Sequence, residues 1–222
     1  MKALAALILA SGPAWAWDSV PSSGPLSDDD FYRVVSCAAP PGQDCAVASV
    51  RWAGPRAADL TVAVAQVDPG YPTDRARALT KALYAAIAQI NASNAALRLR
   101  TAPPGEAADI TVHLLTIRSG DQIRGTGLDP LDGALIEAAL VQLWWNDNLD
   151  LTRCAIVFPQ DIAMHDLQSV ALEELTQALG LRTDIDNPWY EPLSVFSETS
   201  NAVTRLGRQD IMALQRHYPI AK

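Results

Sequence analysis

The residues best suited to do chemistry lie in one stretch, positions 172–181, which reads Leu-Glu-Glu-Leu-Thr-Gln-Ala-Leu-Gly-Leu. On a helix, at about 100° per residue, its leucines and alanine fall on one side. Glu173, Gln177 and Gly180 line the other side, and Glu174 lies at the border between the two. A carboxylate can act as a general base on water, and a neighbouring amide or carboxyl can hold the water or an oxyanion. The candidate catalytic residues are therefore Glu174 as the base, with Glu173 and Gln177 beside it.

The spacing of this stretch resembles the active-site helix of metzincin zinc peptidases, H-E-x-x-H-x-x-G-x-x-H. Glu174 corresponds to the general base of that motif and Gly180 to its glycine. The three histidine positions instead hold Glu173, Gln177 and Thr183. The string Glu-Glu-Leu-Thr-Gln also resembles a family of uncharacterised secreted bacterial proteins. The resemblance implies that Thr183 approaches the helix after the turn at Gly180 and belongs to a binding site there.

The residue types at those positions disfavour a metal. Catalytic zinc takes three protein ligands from His, Glu, Asp or Cys, and an amide and a hydroxyl are poor replacements. The histidines of the chain lie elsewhere, at His113, His165 and His217. We therefore expect no metal site and no cofactor, with zinc the least suitable ion. Calcium is the alternative, because it accepts oxygen ligands such as those of Glu173, Asp184 and Asp186.

The beginning of the chain has the pattern of a secretion signal. Lys2 precedes an apolar run, 3–10, and Ala14-Trp15-Ala16 forms an A-x-A cleavage site. The run is too short to span a bilayer. We predict a signal peptide over 1–16, an N-terminal extension over 17–58 and one metzincin-like domain over 59–222. The expected location is the periplasm or the cell exterior, without a membrane span.

Two of the three cysteines flank a short loop. Cys37 and Cys45 enclose the residues Ala-Ala-Pro-Pro-Gly-Gln-Asp. In an oxidising compartment we expect them to form a disulfide. By the loop-entropy relation, this disulfide stabilises the folded state by about 2.5 kcal/mol. Cys154 precedes an apolar run and is predicted to be a free, buried core residue. A reactive thiol is the alternative for Cys154.

The charge of the chain excludes some partners. The formal net charge is −8, and lysines and arginines form no cluster. This composition argues against binding of nucleic acid or of anionic membrane surfaces.

Hydrophobic patterning predicts strands that alternate with helices. Strands are expected over 60–67, 97–100 and 109–115, with a helix capped by Thr73 between the first two. Segments 138–146 and 151–158 are predicted to form a hairpin, with a helix over 135–145 as the alternative. Residues 120–133 are predicted to be a loop. Ser27 and Asp166 are predicted N-caps, of a short helix and of the helix that carries Glu174.

This order of elements also resembles the metzincin core. The resemblance implies an α+β (α/β-type), zincin-like fold, in which a twisted, mostly parallel sheet has an antiparallel edge strand. It further implies a backing helix, an active-site-type helix and a C-terminal helix. Residues 193–197 lie where the family has its Met-turn, with Val195 or Phe196 in place of Met. Residues 203–218 resemble the closing segment of matrixins, with Asp210 at the third helical position and Tyr218 at the end.

In active metzincins an extended substrate lies antiparallel along the edge strand, which corresponds here to 141–145. Main-chain pairing needs no zinc, and Trp144 or Trp145 could anchor a side chain of the bound segment. We therefore expect a secreted pseudo-peptidase that binds an extended peptide or envelope protein segment. The alternative is a zinc-independent or differently metallated peptidase or other hydrolase, with Glu174 as general base. A purely structural role for Glu173 and Gln177, replacing zinc as a staple, is compatible with binding.

Overall fold

The computed structural model describes residues 19–103 and 106–220, so the predicted signal peptide lies outside the described residues. The helices are α1 (Asp28–Cys37), α2 (Gly54–Ala57), α3 (Thr73–Asn91), α4 (Leu167–Gln177) and α5 (Arg208–His217). The strands are β1 (Ser19–Pro21), β2 (Arg51–Trp52), β3 (Leu60–Val67), β4 (Leu99–Thr101), β5 (Ile110–Leu115), β6 (Leu140–Trp145), β7 (Asp150–Pro159) and β8 (Asp184–Asp186). The chain is thus α+β, as the sequence predicted.

Among the described residues, the main sheet contains six strands and is mostly parallel. Its order is β2-β7-β5-β3-β4, and β6 pairs with β7. All of these pairs are parallel except β6–β7, which is antiparallel and closed by a tight turn from Asn146 to Asp150. The predicted hairpin is confirmed, and the alternative of a helix over 135–145 is wrong. The alternation of Leu143 with its neighbours places it in the core, which favours a strand over a helix.

The other predicted elements appear close to their expected positions. β3 has the predicted bounds, β5 begins one residue later than predicted, and β4 begins two residues later. Ser27 caps α1, because its Oγ accepts the amide N–H of Asp30 at 3.1 Å. The predicted cap at Thr73 is wrong by one residue. Pro72 has the extended backbone that precedes a helix, so Thr73 becomes the first helical residue.

The helices α3 and α4 pack together on one face of the sheet. Residues that precede β3 join the same core, since Val20, Phe31 and Trp52 are buried in it. Segment 117–136 covers the other face, where Ile123 and Leu131 are fully buried in a second, smaller cluster. The loop predicted over 120–133 is therefore irregular in backbone but packed against the sheet.

The N-terminal part of the described chain is fastened to its C-terminal part. The predicted disulfide joins Cys37 and Cys45, with a Cα–Cα distance of 5.2 Å. Helix α1, which ends at Cys37, packs against α5. Cys154 is free and buried, as predicted.

No helix within 19–103 and 106–220 is long and apolar enough to cross a membrane.

Candidate active-site helix

Helix α4 carries the residues that the sequence singled out. It follows Asp166, the predicted N-cap, although the Asp166 side chain makes no capping hydrogen bond. Its apolar side is fully packed, with Leu172 and Leu175 at 1% and 0% exposure. Glu173 and Gln177 are half-buried on the other side. The helix therefore presents the two predicted faces.

Gly180 turns the chain after α4 in a way that no other residue could. Its φ is +98°, in the left-handed region that favours glycine. A Cβ at this position would lie 2.0 Å from the carbonyl oxygen of Val50 and 2.9 Å from Nε2 of His217. Both the backbone conformation and the close approach of Val50 thus require glycine.

The end of α4 is closed by side chains from distant parts of the chain. The indole N–H of Trp52 donates to the carbonyl of Ala178 at 3.0 Å, and the hydroxyl of Tyr218 donates to that of Leu179 at 2.5 Å. The same hydroxyl accepts the amide N–H of Trp52 at 3.2 Å. Carbonyls at a helix end lack intrahelical partners, so this clamp satisfies groups that burial would otherwise leave unpaired.

Glu174 is a buried carboxyl. It is 7% exposed, and no side chain or amide within the described ranges donates a hydrogen bond to it. Burial, with the charge of Asp184 as a second cause, raises the pKa of Glu174 to about 8. Burial and the charge of Glu174 also raise the pKa of the Cys154 thiol well above its usual value. Cys154 is thus an inert core thiol beside Glu174, rather than a nucleophile.

Glu173 belongs to the same acidic group. Burial is the main cause that raises its pKa well above the usual value, followed by the charges of Glu174 and Glu198. Desolvation and like charges both disfavour the ionised form of a carboxyl. The two adjacent glutamates therefore hold protons more tightly than exposed glutamates do.

Gln177 binds the strand that follows the turn. Its Nε2 donates to Oδ1 and Oδ2 of Asp184 at 3.0 and 3.2 Å. Thr183, which the resemblance placed near the helix, is 1% exposed and donates its amide N–H to the carbonyl of Val35. The side chain that meets Gln177 thus comes from the residue after Thr183.

The segment after Phe196 adds a further carboxyl. Ile185 in β8 donates its N–H to Phe196 at 2.7 Å, and Glu198 donates its N–H to Ile185 at 3.2 Å. This bridge brings Glu198 beside β8 and close enough to raise the pKa of Glu173. Sequence reasoning missed Glu198 and considered Asp184 only as a calcium ligand. Hydrophobic patterning gave no signal for either residue. Both are brought to the helix by the pairing of short segments, which have no periodic pattern.

The two adjacent tryptophans of β6 lie on opposite faces of the sheet. Trp144 packs with the second cluster, donates its indole N–H to the carbonyl of Asp129 at 3.2 Å and lies 3.9 Å from the guanidinium of Arg153. Trp145 is 43% exposed, with the guanidinium of Arg182 at 5.3 Å from its ring. Since Arg182 follows the Gly180 turn, Trp145 lies on the side of α4. Of the two tryptophans among the predicted binding residues, only Trp145 is brought to the side of the helix.

The histidines are engaged elsewhere or exposed. The ring of His113 lies 3.1 Å from the side-chain oxygens of Gln66 and of Thr111, and that of His217 lies 2.9 Å from the carbonyl oxygen of Val50. His165 is exposed. Within the described residues, no three His, Cys, Asp or Glu side chains are placed to hold a metal ion, and this includes the predicted calcium ligands Glu173, Asp184 and Asp186.

The arrangement is therefore a carboxyl-rich helix face beside an antiparallel edge strand with a half-exposed tryptophan. No protein-family model and no curated protein matches this chain.

Proposed function

We propose that this chain is a secreted, metzincin-like pseudo-peptidase that binds an extended peptide or protein segment along β6. The observation that carries the proposal is the position of β6. Its backbone pairs with β7 on one edge, and no strand in the described ranges pairs with the other edge. A free edge offers unpaired N–H and C=O groups to an extended chain.

Trp145 supplies the side-chain contact that such a mode of binding needs. It lies at the end of β6, is 43% exposed and is on the α4 side. Large aromatic side chains with one exposed face are the usual anchors of peptide interfaces. A side chain of the bound segment would pack against this ring.

The carboxyls of α4 supply the polar contacts. With a pKa of about 8, Glu174 is mostly protonated at neutral pH, and a protonated carboxyl is a hydrogen-bond donor. Peptide carbonyls are acceptors, so a neutral Glu174 suits a bound peptide without adding a buried charge. The Gln177–Asp184 pair takes the place of a metal in joining α4 to the following strand.

The remaining support comes from the sequence resemblance and the disulfide. The resemblance implies an antiparallel edge strand beside an active-site-type helix, and β6 and α4 have that relation. A disulfide such as Cys37–Cys45 persists in oxidising compartments, which supports a periplasmic or extracellular location.

A synthetic library of ten-residue peptides, with retained peptides identified by mass spectrometry, tests the proposal. Wild-type protein should retain a set of peptides uncut, and Trp145→Ala should lose at least tenfold in affinity for them. Trp189→Ala is the matched control, because Trp189 is also half-exposed, at 50%, but follows β8. Equal affinities of wild type and both folded variants would remove the β6 site.

A second candidate function is a metal-independent hydrolase, favoured by the raised pKa of Glu174. Groups with strongly shifted pKa values cluster at catalytic sites. With a pKa of about 8, Glu174 would act as a general acid at neutral pH and as a general base only above that value. Cleavage of library peptides that rises through pH 8 and disappears in Glu174→Gln would establish this function instead. Uncut peptides at every pH would exclude it.

A further inference from the structure

A group of carboxyls lies at the polar face of α4, where three separate segments meet. Glu173 belongs to α4, Asp184 to β8 and Glu198 to the segment that is bridged to β8. After burial, the charges of Glu174 and Glu198 raise the pKa of Glu173, and the charge of Asp184 raises that of Glu174. The carboxyls are therefore close to one another. No three acidic side chains in the described part of the chain are placed to hold a metal ion, so the group suits a larger, organic cation.

Glu174 lies beneath this group as a buried carboxyl. It is 7% exposed, and no side chain or amide in the described ranges donates a hydrogen bond to it. Neither Glu173 nor Glu174 forms an ion pair with a described residue. Arg182 is the only lysine or arginine between positions 173 and 198, and its guanidinium donates to the carbonyl of Ala48 at 3.2 Å. The two glutamates of α4 thus have no compensating cation among the described residues.

The register of β6 places these carboxyls level with Leu143. Leu143 pairs with Cys154 of β7, and both residues lie in the core on the α4 side. Burial, and then the charge of Glu174, raise the pKa of the Cys154 thiol, so the Glu174 carboxyl lies near this pair. Trp145 follows Leu143 by two residues and lies on the same side of the sheet. A strand added beside β6 would direct two side chains to this side, two positions apart, one toward Trp145 and one toward the carboxyls.

We propose that the β6 site selects a segment with a cationic side chain, lysine or arginine, two positions from the apolar residue that packs on Trp145. The inference rests on the function proposed for β6 and names the class of its ligand. The ammonium or guanidinium lies between Glu173, which is half-buried, and Glu198, which is exposed. Glu174 keeps its proton and donates to the backbone of the segment. The formal net charge of −8 attracts such a segment at long range.

The test uses two capped peptides, Thr-Arg-Thr-Leu-Thr-Arg-Thr and a counterpart in which citrulline replaces both arginines. Citrulline keeps the shape of arginine without its charge. An arginine on each side of the leucine makes the direction of the bound strand immaterial. In calorimetry at pH 7, the full chain should prefer the arginine peptide at least tenfold. An opposite charge favours the ionised form of a carboxyl, so titrations in two buffers of different ionisation enthalpy should show proton release for the arginine peptide alone.

Protein variants locate the origin of this preference. Glu173→Gln and Glu198→Gln should each reduce the preference to less than threefold. Glu106→Gln is the matched control and should keep it, because Glu106 is an exposed glutamate that follows β4, at the opposite end of the strand order. A preference that survives in both Glu173→Gln and Glu198→Gln comes from the net charge of the chain and overturns the inference.

The variant Trp145→Ala separates this inference from the function proposed for β6. It should weaken both peptides by the same factor, because they share the leucine that packs on Trp145. If the two peptides bind wild type equally and Trp145→Ala weakens both, the β6 site stands and the selection for a cation is overturned. If Trp145→Ala changes neither affinity, the β6 site fails, and with it the position of the cation relative to Trp145. Failure of wild type to bind either peptide overturns this inference, and the peptide library then decides the function of β6 separately.

Discussion

Two buried carboxyls on two helices have opposite surroundings. Asp210 of α5 is fully buried and accepts hydrogen bonds from Ser194 Oγ at 2.6 Å, the Gly207 amide at 2.7 Å and the Val195 amide at 3.2 Å. Glu174 of α4 is nearly as buried and accepts none from the described residues. Burial raises the pKa of Asp210 to about 6, against the lowering effect of its hydrogen bonds, and raises that of Glu174 to about 8.

The difference separates a carboxyl that holds two segments together from one that does not. Asp210 joins the start of α5 to residues 194–195, so its hydrogen bonds are used for folding. Glu174 joins no two segments in this way, and it retains 7% exposure. In the function proposed above, a segment bound along β6 would accept a hydrogen bond from its protonated form.

The largest effect is expected when the structural carboxyl is removed. Asp210→Ala leaves the Ser194 hydroxyl and two backbone amides without an acceptor, and should lower the free energy of unfolding by about 4 kcal/mol. Urea denaturation at pH 7 measures it. Asp74→Ala, at an exposed aspartate in the first turn of α3, is the control. A loss below about 1 kcal/mol would mean that Asp210 contributes no more than a surface charge.

The pH dependence of stability tests the other carboxyl. Because the pKa of Glu174 is raised from 4.5 to about 8 on folding, the folded protein keeps a proton that the unfolded chain releases. Its contribution is therefore fully present below pH 4.5 and is lost as the pH rises toward 8, at about 1.4 kcal/mol per pH unit.

Glu174→Gln carries no titratable group at this position and should lack that loss. Relative to the variant, wild type should lose about 2 to 3 kcal/mol of unfolding free energy between pH 5 and pH 7. Urea denaturation of both proteins at the two pH values measures the difference. An equal change in the unfolding free energy of the two proteins between the two pH values would show that Glu174 does not keep its proton.

A smaller effect is expected when Asp210 loses one of its three donors. Ser194→Ala removes the 2.6 Å hydrogen bond and the acceptor of the Phe196 amide. It should lower the free energy of unfolding by about 1.5 kcal/mol. It should also raise the pKa of Asp210 further, toward that of Glu174. NMR titration of the Asp210 carboxyl measures that shift, and an unchanged or lower pKa would contradict it.

The smallest effect on the free energy of unfolding is expected at Ser197, three residues after Ser194. Ser197 is 3% exposed, and its Oγ has no hydrogen-bond partner among the described residues. Ser197→Ala removes an unpaired buried hydroxyl, so the free energy of unfolding should stay within about 0.5 kcal/mol of wild type or rise by about 1 kcal/mol. Thermal unfolding beside Ser194→Ala provides a matched pair of serines. A loss as large as that of Ser194→Ala would reveal a partner of Ser197 outside the described residues.

Sequence patterns predicted the elements whose packing depends on nearby residues. The apolar side of α4, the strand over 60–67 and the Cys37–Cys45 loop depend on residues close in sequence, and these predictions are confirmed. The spacing in α4 also placed Glu173 and Gln177 on one side of the helix. A local sequence pattern specifies which face of a helix or strand is buried. It specifies the elements that pack on that face only where those elements are close in sequence.

The partners of the candidate site could not be predicted in this way. Asp184 meets Gln177 because β8 pairs with β1, whose residues lie more than 160 positions earlier, and three-residue strands have no periodicity. The sequence offered Trp144 or Trp145 as the anchor and did not show which of the two faces α4. That depends on the register of β6 on β7 and on the irregularity between the two tryptophans.

The clamp at the end of α4 has a consequence for how the chain matures. Its donors, Trp52 and Tyr218, come from near the two ends of the described chain, and 126 residues separate Trp52 from Ala178. Contacts of such long range form late and slow down folding. Because Tyr218 is synthesised after Trp52 and after all of α4, a nascent chain that has not yet exposed residue 218 cannot complete the turn beneath the candidate site. The clamp should therefore form only once the segment that carries α5 has left the ribosome.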